Sequence, residues 1–183
     1  MFCLLVTRSK ELSKLLRGVG VENVAVRESE EEARRLLEQQ TFDFVALDTP
    51  LKDAFGCEFA MSLSDFYEMP VLVICDADLY ESTREKLKEK TVFILQKPFT
   101  MRMLQECVGF IGAHKKKCDA LMAKNQKLNK KLEDIKTIDR AKYLLMSYLN
   151  MSEPDAHRYI EKQAMDSGVS RRVVADNILK TYI

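Results

Sequence analysis

The sequence lacks several features that mark common classes of protein. No apolar run approaches the roughly 18 residues of a membrane-spanning helix. The apolar stretch at the start is short and has no small-residue cleavage site, so a secretory signal is not expected. The five cysteines form no C-x-x-C pair, which favours reduced thiols in a cytoplasmic protein. No cluster of His, Cys or Ser typical of a catalytic centre is present, so an enzyme is the least expected class.

One pair of possible metal ligands is present. His114 and Cys118 are four residues apart in a segment with a helical pattern, so both side chains would lie on one face. No further ligand lies nearby in the sequence, and a zinc site usually needs three or four. The favoured interpretation is that both are surface or seam residues, and no metal or cofactor is predicted.

The net charge of +1 hides an uneven distribution along the chain. Residues 1–113 carry 14 Lys and Arg against 19 Asp and Glu, whereas residues 114–183 carry 15 against 9. A basic end on an acidic module suggests binding to a polyanion. The alternative is that these lysines only solvate an exposed helix.

Short apolar runs alternate with helical patterns in the first 112 residues. Ser9 and Ser29 each begin an amphipathic stretch, and Glu32 completes the spacing of a capping box. The alternation predicts a doubly wound five-stranded parallel sheet with helices on both faces. Functional groups of such sheets gather at the carboxyl ends of strands, where Asp48 and Lys97 fall. The predicted strands cover residues 2–7, 23–27, 44–47, 71–75 and 92–95.

The residues at these strand ends resemble the receiver domain of bacterial response regulators, which has a flavodoxin-like fold. Asp48 falls at the phosphoacceptor position, and Gly56 matches the glycine eight residues later. Lys97, in the stretch QKPF, matches the phosphate-binding lysine. The resemblance covers residues 1–112 and implies a role in two-component signalling, with a sensor kinase or another protein as partner.

Several positions depart from the receiver pattern. The family ends its first strand with two acidic residues that hold Mg²⁺, whereas this chain has Thr7 and Arg8. The family's fourth strand usually ends in Thr or Ser, whose hydroxyl contacts the phosphoryl group, whereas this chain has Cys75, a weak donor. Ile94 replaces the aromatic switch residue three before the lysine. The departures predict a degenerate receiver.

The departures bear on the chemistry of Asp48. Phosphoryl transfer to an aspartate needs a metal to offset negative charge, and one carboxylate holds Mg²⁺ poorly. We therefore predict that Asp48 is not a normal phosphoacceptor, and that it pairs with Lys97 and with Arg8, whose guanidinium replaces the metal. The alternative is that Asp48 and Lys97 are remnants in a domain kept for packing and dimerisation. Metal-poor phosphorylation, or another ligand in this cleft, stays open.

The segment 113–136 has the pattern of a coiled coil. Two sets of residues repeat every seven positions, and the second set follows the first by three, as a and d positions do. The a positions are Cys118, Asn125 and Leu132, and the d positions are Leu121, Leu128 and Ile135. Asparagine at an a position favours an in-register parallel dimer. We predict a homodimer through this linker helix; the alternative is a helix lying along its own domain.

Residues 137–183 have the pattern of a three-helix bundle. Ser152 and Ser170 are expected to begin the second and third helices, and Gly168 to end the second. The expected inner faces comprise Ala156, Tyr159, Ile160 and Ala164, then Val173, Val174, Asn177 or Ile178, and Leu179. The bundle is too small for an enzyme and suits a recognition module.

These three helices resemble the ANTAR domain, the RNA-binding antitermination module of the AmiR and NasR regulators. The matching stretches are DRAKYLLM (139–146), SEPDAHRYI (152–160) and QAMDSGVSRRVVADNIL (163–179). Tyr143 replaces the family's usual glycine. The family binds nascent RNA that carries two small hairpins and prevents a terminator from forming, so the resemblance implies RNA as the partner.

RNA loops are recognised through flat side chains that stack on splayed bases and through cations that contact phosphates. Arg171 and Arg172 begin a helix, where backbone N–H groups also favour phosphate. Tyr143 offers a stacking surface, whereas Tyr159 is expected in the core. The candidate RNA-binding residues are Arg140, Lys142, Tyr143, His157, Arg158, Lys162, Arg171 and Arg172.

The sequence therefore predicts three parts: a receiver-like domain over residues 1–112, a coiled-coil linker over 113–136 and an RNA-binding bundle over 137–183. The leading interpretation is a homodimeric transcription antitermination regulator that acts on paired hairpins in leader RNA. Two alternatives stay open. One is a DNA-binding response regulator, because DSGVS fits the turn of a helix-turn-helix; the other is a dimeric signalling scaffold.

Overall fold

The computed structural model describes residues 1–182 of the chain. Its strands are β1 (Phe2–Val6), β2 (Asn23–Arg27), β3 (Phe44–Asp48), β4 (Val71–Asp76) and β5 (Val92–Lys97). Its helices are α1 (Lys10–Gly18), α2 (Glu30–Leu37), α3 (Cys57–Phe66), α4 (Ala77–Leu87), α5 (Met101–Leu149), α6 (Glu153–Ser167) and α7 (Arg171–Tyr182). The chain divides into two compact units between Asp119 and Ala120. Over the described range, no helix combines the length and apolar character that a membrane crossing requires.

The first unit is built on the predicted five-stranded parallel sheet. The strand order is β2-β1-β3-β4-β5, and every neighbouring pair is parallel. Alternate residues of the buried strands face two separate cores: Leu4 and Val45 belong to one, and Leu5 and Phe44 to the other. Both faces are therefore covered, which explains why the strands read as continuous apolar runs. The prediction of a flavodoxin-like α/β domain is confirmed.

The parallel register brings three charged residues to one edge of the sheet. Asp48, Asp76 and Lys97 are the last residues of β3, β4 and β5. The chain leaves this edge after β3 through a turn that ends at Gly56, whose φ is +88°. A Cβ at this position would lie 2.7 Å from Thr49 Cγ2, so both the backbone conformation and the space require glycine.

Helix α5 continues from the receiver domain through the predicted linker, without interruption for 49 residues. Gly112 lies within it, and a glycine within a helix costs only about 1 kcal/mol. Burial of Leu104, Val108 and Ile111 against the sheet offsets that cost.

The second unit is a bundle formed by the end of α5 with α6 and α7. Ser152 Oγ accepts a hydrogen bond from the Asp155 N–H, and Gly168 ends α6 in the left-handed conformation, both as predicted. The core consists of Ala141, Leu145, Ala156, Ile160, Ala164, Val174, Ala175 and Ile178. Half of these residues are alanines, which let the helices pack closely.

Three residues expected in this core lie outside it: Tyr159 is 38% exposed, Val173 is 43% exposed, and Leu179 is half-buried. Ala175, by contrast, is fully buried. The helical spacing of apolar residues allowed either Val173 or Ala175 to face inward. The close packing of alanines favours the smaller side chain, and it places the Tyr159 ring at the rim of the core.

Candidate functional site

The first candidate site is the Asp48 pocket, defined here as Thr7, Asp48, Asp76 and Lys97. It lies at the carboxyl edge of the sheet. The Asp48 side chain is only 13% exposed, and a buried carboxylate is costly unless other groups satisfy it. The partners of its two oxygens therefore decide what the pocket can do.

Thr7 satisfies the first oxygen of Asp48. The Thr7 hydroxyl donates to Asp48 Oδ2 at 2.6 Å and accepts from the Ser9 backbone N–H at 2.9 Å. The Thr7 backbone N–H donates to the Arg27 carbonyl, so the residue is fixed at both ends. Thr7 is thus a hydrogen-bond donor that holds Asp48 to the start of α1.

Lys97 holds the second oxygen by charge. Its ammonium lies 2.6 Å from Asp48 Oδ1 and 3.5 Å from Asp76 Oδ1. The Asp48 contact lies outside the angles of a good hydrogen bond, and within residues 1–182 no other group bonds to this buried oxygen. Burial opposes the charge on Lys97, but the carboxylates of Asp48 and Asp76 outweigh it and raise the lysine pKa.

Arg8 does not take part in the pocket. We predicted that its guanidinium would pair with Asp48, but Arg8 is exposed, and across residues 1–182 no carboxylate lies within 4.0 Å of it. The prediction was wrong because β1 ends at Val6. The backbone then turns Thr7, rather than Arg8, toward Asp48, and Thr7 is buried.

Asp76, rather than Cys75, contributes its side chain to the Asp48 pocket. We expected β4 to end at Cys75 with its thiol in the pocket, but β4 continues to Asp76. Cys75 is fully buried in the hydrophobic core, and burial raises its thiol pKa. Asp76 supplies the second carboxylate beside Lys97, a role that sequence reasoning missed. The sequence nevertheless indicates this role, because Asp76 ends β4, the strand that lies next to β5.

The second candidate site is the surface of the C-terminal bundle. Several predicted RNA-binding cations are held there by carboxylates of the same chain. Lys142 Nζ lies 2.9 Å from Asp139 and 2.8 Å from Glu153; Arg171 lies 2.9 Å from Glu161; and Arg172 lies 2.7 Å from Asp134 and 3.3 Å from Asp176. His157 and Arg158 lie 3.3 Å and 3.5 Å from Glu161 and Asp155.

Arg140 and Lys162 differ from these paired cations. Both are exposed, and as far as the structure is described neither has a carboxylate within 4.0 Å. Arg140 lies in a shallow groove of about 430 Å³, the Arg140–Tyr143 groove, lined by Asp139, Arg140, Tyr143, Leu144 and Leu179. The Tyr143 ring is 68% exposed. The groove thus combines an exposed flat ring, apolar walls and an unpaired guanidinium.

The predicted dimer seam lies on the middle of α5. Its leucines and isoleucine are more than half exposed in the single chain: Leu121, Leu128, Leu132 and Ile135. Asn125 is exposed as well, whereas Cys118 is half-buried. An apolar stripe along one face of a helix is the pattern that a second helix covers.

Comparisons with known proteins agree with this architecture. Residues 7–109 match the response regulator receiver domain, and residues 126–179 match the ANTAR domain. The transcriptional regulatory protein PdtaR of Mycobacterium tuberculosis is 29% identical over 174 residues, which cover 93% of this chain and 83% of that protein.

Solved structures share the receiver fold. A response regulator receiver domain from Clostridium thermocellum has a TM-score of 0.56 at 20% identity, covering 63% of this chain and 98% of that one. NtrX from Brucella abortus has a TM-score of 0.58 at 17% identity, covering 67% of this chain and 29% of that one. The matched domains and the fold lead to one conclusion: the chain belongs to the response regulators, with a receiver domain followed by an ANTAR domain.

Proposed function

We propose that this response regulator is a cytoplasmic RNA-binding transcription antitermination factor, which acts as a homodimer on paired hairpins in leader RNA. The Arg140–Tyr143 groove carries the proposal. An exposed ring can stack on an unpaired loop base, and an unpaired guanidinium beside it can contact a phosphate. Binding of a fluorescent leader RNA with two hairpins, compared with the same RNA with altered loops, tests the proposal.

The paired cations have a different role in this proposal. Lys142 joins α5 to α6 through Glu153, Arg171 joins α7 to α6 through Glu161, and Arg172 joins α7 to α5 through Asp134. A cation that a carboxylate already neutralises adds less to phosphate binding. We therefore assign the direct contacts to Arg140, Tyr143 and Lys162, and the positioning of the helices to the paired residues.

The receiver domain, in this proposal, works without aspartyl phosphorylation. Receiver domains use Mg²⁺, and the Asp48 pocket does not fit that ion. Thr7 places a hydroxyl where the family has an acid, and Lys97 occupies both remaining carboxylates, Asp48 and Asp76. In residues 1–182, no group of three His, Cys, Asp or Glu side chains is placed to hold a metal. Mg²⁺ binding needs several oxygen ligands in near-octahedral geometry.

Incubation with acetyl phosphate and Mg²⁺ should therefore leave the protein unmodified. Both Asp48 oxygens have partners, and the cation that would offset the incoming charge has no ligand set. Intact-mass spectrometry measures the result directly, with a typical phosphorylatable receiver as the positive control. A phosphoryl adduct that is present in the wild type and lost in Asp48→Asn would contradict this part of the proposal.

The dimer is proposed to form through α5. Four large apolar side chains of the seam are exposed in one chain, and a second copy would bury them at about 25 cal/mol per Å² of apolar area. Asn125, at an a position between them, would hold the two helices parallel and in register at a cost in stability.

Replacing Asn125 by isoleucine should strengthen the association of two chains and make it less specific for the dimeric state. Isoleucine removes the buried polar group, so the dimer dissociation constant should fall by about tenfold or more, and larger assemblies should become detectable. Sedimentation over a range of concentrations measures both effects, and Asn177→Ile, an exposed asparagine on α7, is the control. A wild-type chain that stays monomeric at micromolar concentration would contradict the proposed dimer through this seam.

A further inference from the structure

A second groove on the C-terminal bundle, the α6–α7 groove, lies between the helices that residues 168–170 connect. Its volume is about 330 Å³. In the part of the chain that the structure describes, it shares no lining residue with the Arg140–Tyr143 groove. The side chains that shape it are Tyr159 and Gln163 on α6, and Val173, Val174, Asn177 and Ile178 on α7.

The walls of the α6–α7 groove suit a flat ring. Tyr159 and Val173, which the sequence placed in the core, line the groove instead and are 38% and 43% exposed. Val174 and Ile178 are buried below them and close the floor. A planar ligand would therefore meet an aromatic side chain on one helix and aliphatic side chains on the other. The volume lies at the lower end of the range for small-ligand pockets, about 300–1,000 Å³.

Two side-chain amides give the groove hydrogen-bonding groups that are free to bind a ligand. Gln163 is half-buried and Asn177 is exposed. The Thr181 hydroxyl donates to the backbone carbonyl of Asn177, and within residues 1–182 no protein group bonds to either side-chain amide. An amide presents a donor beside an acceptor, as the edge of a nucleobase does. An aliphatic ligand would leave both amides without partners, so the groove favours a base.

We infer that the α6–α7 groove binds a second unpaired base of the RNA loop, in addition to the base that stacks on Tyr143. The inference rests on the proposed function, because the ligand is the same RNA. Leu179 lines the Arg140–Tyr143 groove and follows Asn177 by two residues, about 200° around the helix. The two grooves therefore lie on opposite sides of α7, roughly 10 Å apart.

The ridge between the two grooves does not repel RNA. Asp176 lies on this ridge, and Arg172 neutralises it at 3.3 Å. The RNA backbone can therefore cross α7 while neighbouring bases point to either side of the helix. The paired Arg172 thus supports RNA binding without contacting a phosphate.

Lys162 acquires a defined role in this arrangement. It does not line the Arg140–Tyr143 groove, but it directly precedes Gln163 on α6. Its exposed ammonium is placed to hold the phosphate of the nucleotide whose base enters the α6–α7 groove. Phosphate contacts of this kind fix the position of the nucleic acid, whereas the amides read the base.

Abasic substitution, at the same position of both loops in a labelled two-hairpin RNA, tests the inference with the full-length protein. For the wild type, we expect two different loop positions to matter, each by about fivefold or more. Gln163→Leu and Asn177→Leu should each weaken binding by about fivefold or more and abolish the dependence on one position. Tyr143→Ala should abolish the dependence on the other. Gln126→Leu, an exposed glutamine on α5, is the control and should keep both.

The profile of abasic effects separates a base contact from a structural role, and circular dichroism checks that each variant keeps its helical content. Amide variants that bind as the wild type does, or that weaken binding without changing the profile, overturn the inference. Amide variants that lose the same position as Tyr143→Ala also overturn it. These outcomes leave RNA recognition by the bundle intact. A wild type that binds no RNA, or that depends on no loop base, instead refutes the proposed function and the inference with it.

Discussion

Replacing Lys97 by methionine should lower the free energy of unfolding by about 2–3 kcal/mol. Methionine keeps the apolar stem of the lysine but removes the charge that faces Asp48 Oδ1. Removing one partner of a buried ion pair costs roughly 3–5 kcal/mol, because an uncompensated charge remains. We expect less here because Lys97 is one-third exposed, and water moderates the penalty. Urea denaturation at neutral pH measures the change.

The double variant Asp48→Asn, Lys97→Met is the control for this prediction. It removes the carboxylate together with the ammonium, so most of the lost stability should return. The two single variants and the double variant form a cycle that isolates the interaction. If Lys97→Met unfolds with the wild-type midpoint, or if the double variant is no more stable than the single one, the ion pair does not hold Asp48.

The pH dependence follows from the raised pKa of Lys97. Burial opposes its charge, but Asp48 and Asp76 raise the pKa above the unfolded value. Such a group contributes its full stability below the unfolded lysine pKa of about 10.4, and the contribution is lost as the pH rises through the folded pKa. The stability difference between wild type and Lys97→Met should therefore stay constant near neutrality and shrink only in strongly alkaline solution.

Tyr143→Ala should weaken binding to a two-hairpin leader RNA by about fivefold to 150-fold, which corresponds to the roughly 1–3 kcal/mol contributed by a ring that stacks on one base. The ring is 68% exposed, so its removal should leave the helical content unchanged. The loss should be larger for wild-type loops than for altered loops, because stacking depends on a splayed base. Tyr148→Ala is the matched control: Tyr148 is 63% exposed on the same helix and lies about 140° around it.

Arg140→Ala should act in a different way. Loss of a phosphate contact weakens binding to all RNAs by a similar factor. It also reduces the slope of the logarithm of the binding constant against the logarithm of the salt concentration by about one unit. Lys180→Ala removes one exposed cation from the same bundle and should change the slope less. If Tyr143→Ala and Arg140→Ala both bind as the wild type does, the Arg140–Tyr143 groove is not the RNA surface.

The fold was predictable because the sequence patterns that indicate its strands and helices are local and agree with one another. The apolar runs gave the five strands, and Ser9, Ser29 and Ser152 marked the helix starts that the structure contains. The continuity of α5 through Gly112 was harder to predict, because tertiary contacts can offset the cost of a glycine within a helix. At Gly112, the packing of neighbouring residues on the sheet offsets that cost.

Which charged residues gather at the sheet edge was predictable in part, but the pairing of their side chains was not. The sequence placed Asp48 and Lys97 at one sheet edge, but the positive charge of Arg8 favoured it over Thr7 as the partner of Asp48. The direction of a side chain just beyond a strand end depends on the backbone turn, which spacing alone does not specify. Likewise, the sequence predicts Lys142 and Arg172 as phosphate contacts. It does not show that the packing of α6 and α7 places Glu153 and Asp134 beside them.

The most direct test of the central claim is a competition experiment on the full-length protein. The protein is first bound to a labelled two-hairpin leader RNA. Unlabelled RNA, or duplex DNA of the same length, is then added at the same salt concentration. Each competition is run with and without acetyl phosphate and Mg²⁺. We predict that unlabelled RNA displaces the label, that duplex DNA does so at least about 100-fold less effectively, and that the phosphoryl donor changes neither result. Equal displacement by duplex DNA, or binding that appears only with the phosphoryl donor, would contradict the account.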